Sequence, residues 1–407
     1  MRDGWRTVRL GELFERTKVR LGAHQVEPPV LSLSKYDGVI PASEYFDRRI
    51  ASASLDDYKV LPPGDWAYST IHIDEGSIGR NNLAVPGVLS PMYTTMRWVS
   101  PSNDPRFFEL ILRSPSTLSA YRVNAQGTVN RRRSLAFDAF SRIELDVPPL
   151  TEQRRIVDLI GALDEALEAV GGARRALGVT RQAVAADMLN VMGARRVALK
   201  HIACPKGLIG GPFGSSLVSK DYTATGVPVI RGANLSNGSR FIGGEFVYVS
   251  PAKAASLSRN LAGPGDIIAT QRGTLGQVAL VPPQPDRTYV VSQSQMRLRV
   301  DPRSALAAYV YVALSTDAVR DEIQSRKIAT ANPHINLGVF GAIEIPLPDL
   351  DTQARVAGAV LAIEDAQAAT AREEGGIHAL RAAMLADLLS GNHEIPESYD
   401  RFLDGAA

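Results

Sequence analysis

Cysteine is nearly absent from these 407 residues. Cys204 stands alone, which excludes an intrachain disulfide framework and any zinc site built on paired thiolates. Aromatic residues reach only 6%, and no apolar run approaches the roughly 18 to 20 residues a membrane helix needs. The opening Met1-Arg2-Asp3-Gly4-Trp5-Arg6 lacks the apolar stretch of a secretory signal. A cytoplasmic location without a membrane partner is the expectation. An excess of one charge is missing too: at a net charge of +2, bulk electrostatics do not mark a nucleic-acid binder, although one face can still be basic. Lysine is scarce, with eight residues among the 45 cationic ones. The arginine that replaces it has a planar fork suited to phosphates and guanine edges, and GC-rich coding is the other source of such a bias. What is present, 45% hydrophobic and 22% charged residues, describes a globular chain long enough for two or three cores.

The chain repeats itself. Ile143-Glu144-Leu145-Asp146-Val147-Pro148-Pro149-Leu150-Thr151-Glu152-Gln153-Arg154-Arg155 returns 200 positions later as Ile343-Glu344-Ile345-Pro346-Leu347-Pro348-Asp349-Leu350-Asp351-Thr352-Gln353-Ala354-Arg355. The same offset pairs Leu135 with Ile335, Phe140 with Phe340 and Met188 with Leu388. Earlier segments match with small shifts: Trp5 to Leu10 with Arg195 to Leu199, Pro63-Gly64-Asp65 with Pro264-Gly265-Asp266, and Gly76-Ser77-Ile78-Gly79 with Gly273-Thr274-Leu275-Gly276. Each half is thus one unit of about 200 residues, a domain with an appendage rather than a solenoid repeat.

Within each unit the texture changes at the proline-containing segment. Before it lie short β-type runs (Tyr58 to Leu61, Gly87 to Ser90, Phe246 to Val249, Tyr289 to Ser292) punctuated by Gly, Pro, Asn and Asp, with helices over Pro105 to Leu112 and Ala305 to Ser325. After it comes a proline-free stretch of helical periodicity. Ile156, Ile160, Leu163, Leu167, Val170, Leu177, Val184, Met188 and Val191 fall on one heptad grid, with Arg174 and Arg181 in the two positions between. Val356, Val360, Ile363, Ile377, Met384 and Leu388 repeat it more loosely, interrupted by Gln367, Thr370, Glu374 and Arg381. Either the two seams complete one another as a left-handed coiled coil or each helix packs on its own domain. Gly171-Gly172 and Gly375-Gly376 cost on the order of 1 kcal/mol per glycine in a helix and predict a kink or short reversal. The fold class expected is α+β: two similar α/β domains held apart, dumbbell fashion, by two antiparallel helices about 60 Å long at 1.5 Å per residue. The boundaries fall at 1–150, 151–192, 193–349, 350–392 and a tail at 393–407. Such a body offers two equivalent surfaces to a two-fold object, and duplex DNA is the commonest one.

Catalytic patterns are missing. Gly210 to Ser216 lacks the lysine and the spacing of a phosphate loop, the six histidines are scattered, and His72-Ile73-Asp74-Glu75 reads as a solvated loop rather than a metal site. There is no nucleophile elbow and no dinucleotide fingerprint. No enzyme activity and no metal are expected. What remains are polar, arginine-bearing loops at matching places. In the first half they carry Ser34, Lys35, Tyr36, Asp37, Tyr68, Ser69, Arg80, Asn81, Tyr93, Arg131, Arg132 and Arg133. In the second they carry Ser215, Ser216, Arg231, Asn234, Thr270, Arg272, Gln293, Gln295, Asn332, His334 and Asn336. Arginine is bidentate to guanine, Asn and Gln to adenine, and hydroxyls and backbone amides hold phosphates. Alike frameworks with unlike loops would read two unlike half-sites.

On these residues the chain resembles the specificity subunit of type I restriction-modification systems. The resemblance runs nearly its whole length, through Pro148 to Arg155 and Pro348 to Arg355, the Gly-Pro-Phe-Gly-Ser-Ser-Leu turn at 211–217, Val-Pro-Val-Ile-Arg-Gly-x-Asn at 227–234, the Pro-Gly-Asp turns and the helix end at 384–391. The first half departs from it, since Lys18 to Glu44 has no twin of the Gly-Pro-Phe-Gly turn. The resemblance implies two target-recognition domains reading a bipartite site in double-stranded DNA. Spacer helices would dock two methyltransferase subunits, and a restriction or translocase subunit would complete the assembly. No cofactor is implied in this chain, with S-adenosylmethionine and ATP on the partners. Two other readings fit the same residues: a DNA-recognition subunit of another phage-defence complex, or a coiled-coil scaffold without DNA binding.

Replacing Arg131, Arg132 and Arg133 together by alanine should weaken DNA binding on any sequence and flatten its salt dependence. Titration of duplex at several salt concentrations checks this, and an unchanged slope removes them from the interface.

Overall fold

The computed structural model describes residues 4–22, 28–45, 54–126, 134–190, 194–235, 239–285, 287–328 and 333–403. The chain folds as two compact units, one of Met1–Ala166 with Ile377–Ala407, the other of Leu167–Gly376. Both are built on one plan. In the first, a four-stranded antiparallel sheet runs Phe14–Thr17, Tyr93–Trp98, Trp66–Ser69, Ile78–Arg80 in spatial order, and in the second Ala203–Gly210, Gln295–Val300, Ile267–Thr270, Val278–Leu280. Each unit also pairs its entering strand with the strand before its long helix, Arg6–Arg9 with Glu144–Val147 and Arg196–Ala198 with Glu344–Pro346. The amides of Leu10 and Leu199 donate to the carbonyls of Ile143 and Ile343 in equivalent bonds.

The smaller sheet is where the units diverge. The second unit has five strands, ordered Tyr222–Thr223, Val247–Val249, Val227–Ile230, Tyr289–Val291, Leu261–Ala262. The first has two separate pairs, Leu31–Ser34 with Gly38–Pro41 and Lys59–Leu61 with Gly87–Leu89. A single parallel bridge between Val30 and Val88 stands where the second unit has the parallel pairing of Val227–Ile230 with Tyr289–Val291.

Three expectations are corrected. The stretch from Ala305 to Ser325 is two helices, Ala307–Leu314 and Asp317–Ser325, because Ser315 and Thr316 turn their hydroxyls back onto the carbonyls of Val312 and Ala313 and end the first. Gly76 corresponds to Gly276 rather than Gly273. Ser69 and Thr270 donate backbone N–H groups to the carbonyls of Ser77 and Gln277, so the preceding glycines, both at positive φ, occupy the same turn position. The glycine pairs do not interrupt the helices, which run unbroken as Leu150–Asn190 and Leu350–Ser390. A Cβ on Gly171 would stand in ordinary contact with the Glu374 carboxylate at 3.4 Å, and at neither pair does the structure supply a reason for glycine.

Both long helices are rooted by the repeated glutamine. Gln153 is fully buried: its Oε1 accepts from the Asp104 amide at 2.8 Å, and its Nε2 donates to Asn103 Oδ1 and the Pro148 carbonyl at 2.9 Å. Gln353, equally buried, accepts from the Leu306 amide and donates to the Pro348 carbonyl, both at 2.8 Å. The seam residues behind them join the cores. Ile156, Ile160 and Leu388 are buried in the first unit, with Leu163 and Met384 packed against them, and Val356 and Val360 are buried in the second. Leu167 and Ile363 are half-buried. Each helix therefore packs on a domain at its N-terminal end, and its C-terminal part adds to the other unit's core, as Ala185 does in the second and Leu388 in the first.

Of the polar residues that interrupt the heptad grid, Arg174, Arg181, Glu374 and Arg381 have cross-helix partners, whereas the Thr370 hydroxyl donates to the Gln367 carbonyl of its own helix. Arg174 Nε meets Glu374 Oε2 at 2.7 Å and Arg181 lies 3.7 Å from Glu364 in the second unit, while Arg381 binds Asp164 through both carboxylate oxygens in the first. The tail closes on the first unit in the same way. Arg155, nearly buried, holds Asp400 bidentately at 2.5 and 2.6 Å, and the Tyr399 hydroxyl donates to Asp158.

Gln353→Leu keeps the volume but strands the Leu306 N–H and the Pro348 carbonyl, at a cost of roughly 2–4 kcal/mol. An earlier urea midpoint for the second unit is expected, and an unchanged midpoint would show the carboxamide to be dispensable.

Candidate nucleic-acid interface

In the second unit, loops from distant parts of the sequence meet at one end of the four-stranded sheet. The amides of Gln271 and Arg272 both donate to the Ser294 carbonyl, at 2.8 and 3.2 Å. Arg272 pairs with His334 in an antiparallel bridge, and the Ile335 amide donates to the Gln271 carbonyl. The Gly211 amide donates to the Gln295 carbonyl, and a Cβ on Gly211 would collide with the carbonyl of Ser292, so only glycine lets these two segments touch. The Gln293 side chain then holds the following turn, its Nε2 donating to the carbonyls of Gly214 at 2.6 Å and Leu217 at 2.9 Å. Ser215 and Ser216 stand exposed on that turn, with Phe213 beside them 83% exposed. A groove runs between this segment and the Ser292–Ser294 turn, lined also by Ser219, Tyr222, Arg231 and Gly232.

The first unit presents a simpler surface. Ser34 is buried at the hairpin, its Oγ accepting from the amides of Tyr36 and Asp37 and donating to Asp37 Oδ2. That leaves Lys35, Tyr36 and Asp37 exposed, with Lys35 Nζ 5.0 Å from the centre of the Tyr36 ring. Arg113 fastens the turn from below, donating to the carbonyls of Tyr36 at 3.1 Å and Ile78 at 2.9 and 2.6 Å, and burial holds its guanidinium below its ordinary value. Arg80 is half-buried, 3.6 Å from Glu109. Tyr93 is half-buried, and its carbonyl accepts from Lys59 Nζ.

Several residues picked from the sequence serve the framework instead. Tyr68 is fully buried, stacked on Phe140 at 4.9 Å with its hydroxyl donating to the Leu135 carbonyl, and burial pushes its pKa up to about 12. Asn81 ties the carbonyls of Leu61 and Val85 to the amide of Leu83, and Asn234 those of Gly243 and Glu245 to the amide of Arg231. Ser69 and Thr270 are buried at strand ends. Gln295 is buried with its Oε1 accepting from Ser292 Oγ. The common reason is that a short amide or hydroxyl at a turn satisfies backbone groups that folding removes from water. Asn336 is exposed and caps the helix Leu337–Gly341. Arg131, Arg132, Arg133 and Asn332 lie outside the described residues.

The structure thus gathers Ser215, Ser216, Arg231, Arg272, Gln293 and His334 around one end of the second unit, and Lys35, Tyr36 and Asp37 on one turn of the first. Ser219, Tyr222, Arg113 and the exposed Phe213 were not singled out by the sequence. Their positions depend on contacts some 35 to 80 residues away in sequence, and only the Gly-Pro-Phe-Gly turn offered a local signal. Among the described residues no cluster of His, Cys, Asp and Glu could hold a metal ion, and no helix is long and apolar enough to cross a membrane.

If Arg272 reads a base, Arg272→Ala should cost roughly 1–3 kcal/mol of discrimination at one position of the DNA site and little elsewhere. Competition binding with single-position variants of the site checks this, and an equal loss on all sequences would refute base reading.

Residues 214–371, which span the groove, the Arg272–His334 pairing and the start of the second long helix, match the family model described as the type I restriction modification DNA specificity domain. No curated protein matches the sequence significantly. Among solved structures, a chain from work on complex assembly and conformational transition of the type I R-M system is similar at a TM-score of 0.60 and 19% identity, over 95% of this chain and 98% of that one. The S subunit of a type I restriction-modification system from M. genitalium is similar at 0.56 and 13%, over 94% and 96%. At these identities the likeness is one of fold. Residues 214–371 are thus similar to a type I restriction modification DNA specificity domain, and the chain as a whole has the fold of the type I specificity subunits that its repeated motifs resemble.

Proposed function

We propose that this chain is the DNA-reading subunit of a type I restriction-modification complex, each unit reading one part of a bipartite site. The observation that carries this reading is the same four-stranded frame built twice with different loops at its end: a groove and an arginine–histidine pair in one unit, a lysine–tyrosine hairpin turn in the other. A framework that repeats while its loops differ is what reading two unlike sequences requires. In this reading the chain does no chemistry. Methyltransferase subunits, expected as two, dock on the helices and bring S-adenosylmethionine, and a restriction or translocase subunit brings ATP.

The decisive measurement is a single-molecule methylome of the native host with and without the gene. A split, asymmetric modified motif that vanishes on deletion is the expected result. A methylome unchanged by deletion, together with purified chain whose DNA binding does not fall with salt, would instead support the scaffold reading.

A further inference from the structure

Among the described arginines that are largely withdrawn from solvent, most have an acceptor. Arg113 donates to two carbonyls, Arg155 to Asp400, Arg181 to Ser315, Arg240 to Asp365 and Arg297 to the carbonyls of Leu261 and Lys206. Arg231 differs. It is half-buried in the wall of the second unit's groove, and among the described residues no carboxylate lies within ion-pair distance of it and no acceptor meets any nitrogen of its guanidinium, whereas Arg181 and Arg297, whose Nε atoms are likewise unpartnered, are held through their terminal nitrogens. Directly behind the same wall, the fully buried Gln295 has its Nε2 unpartnered, 3.6 Å from the place a Cβ would take on Gly232. A guanidinium in the wall of a recess without an acceptor is costly unless a ligand supplies one, and the Gln295 carboxamide behind the wall, its Nε2 itself unpartnered, supplies none.

The remaining lining says what that ligand is. Ser219, Tyr222, Ser292, Gln293 and Ser294 bring hydroxyls and amides, and among the described residues no carboxylate lines the groove. The nearest acid in sequence, Asp221, is turned away onto the amide of Val218 at 2.9 Å and Lys253 at 3.2 Å. One unneutralised cation among neutral donors selects an anion with several acceptor oxygens. The surface is concave, whereas a side chain that reads a base edge must project into the DNA groove. A recess receives the ridge of a duplex, which is its sugar-phosphate strand. Resting on the DNA-reading function above, we propose that this groove seats one strand's backbone and that Arg231 clamps a phosphate, fixing the register in which Arg272 meets the bases.

The test uses the full chain with two labelled duplexes, one carrying the modified motif and one unrelated, titrated across a range of salt. Arg231→Gln should weaken both duplexes by the same several-fold factor and reduce the slope of log affinity against log salt by about 0.9, the share of one phosphate. Arg231→Lys should keep the slope, because a point charge still displaces a counterion. An unchanged affinity and slope in Arg231→Gln would overturn the clamp, as would a loss confined to one base position, or a Lys variant that falls as far as Gln. Failure of the DNA-reading function itself shows separately, as wild-type chain that binds neither duplex.

Discussion

Everything in this chain hangs on two buried carboxamides. Gln153 and Gln353 sit in the first turn of the two long helices, each accepting from a backbone amide of its domain and donating to the proline carbonyl at the helix entry. A carboxamide offers both donor and acceptor, so one residue can satisfy groups on two segments where neither a hydrocarbon nor a carboxylate could. It ties each helix to its domain at the point where the strand Glu144–Val147 or Glu344–Pro346 gives way to helix. The repetition of Pro-x-Leu-x-x-Gln through the sequence is thus the repetition of a joint.

From those joints the helices extend without an apolar seam strong enough to hold them alone. Apolar packing is dense where Ile156, Ile160 and Leu388 are buried in the first unit and Val356 and Val360 in the second. Beside it, each unit carries charged contacts between its two helix segments. Arg174 with Glu374, Arg181 with Glu364, and Arg381 with Asp164 join the helices in antiparallel register. The partly exposed pairs Arg174–Glu374 and Arg381–Asp164 contribute little stability individually, whereas Arg181–Glu364 is largely buried. Their value lies in register, since a shift of either helix along the other brings these charges away from their partners.

At the end of each four-stranded sheet, one frame carries loops that differ between the two units. The frame is set by backbone bonds that recur in both units, such as the Leu135 amide to the Thr70 carbonyl and the Ile335 amide to the Gln271 carbonyl. The bridges Gln126–Ser134 and Ile328–His334 recur as well, whereas the turns that project beside them are held differently. The Gly211–Leu217 turn is held by Gln293 in the second unit, whereas in the first Arg113 holds the Lys35–Asp37 turn from another direction. The tips thus differ between the two units while the sheet order beneath them does not.

The repeat, the two long helices and the polar character of the reading loops were legible in the sequence, because each is a pattern of period or of residue type along the chain. So was the α+β class, from β-type runs that give way to a proline-free stretch. Which polar residues face solvent was not legible. Tyr68, Asn81, Asn234, Thr270 and Gln295 have the same chemistry as Tyr36, Arg272 and Gln293, and only the direction in which the strand or turn presents them decides whether they serve the core or the surface. The glycine pairs misled for a related reason: helix propensity weighs a residue alone, whereas each pair sits inside a helix of 41 residues whose two ends are anchored in packed cores. The groove beside Arg231 is likewise a product of tertiary structure, since its walls come from segments near 217, 231 and 293 that no local pattern connects. Periodicity is a property of neighbours in sequence, whereas an unpaired buried donor is a property of neighbours in space.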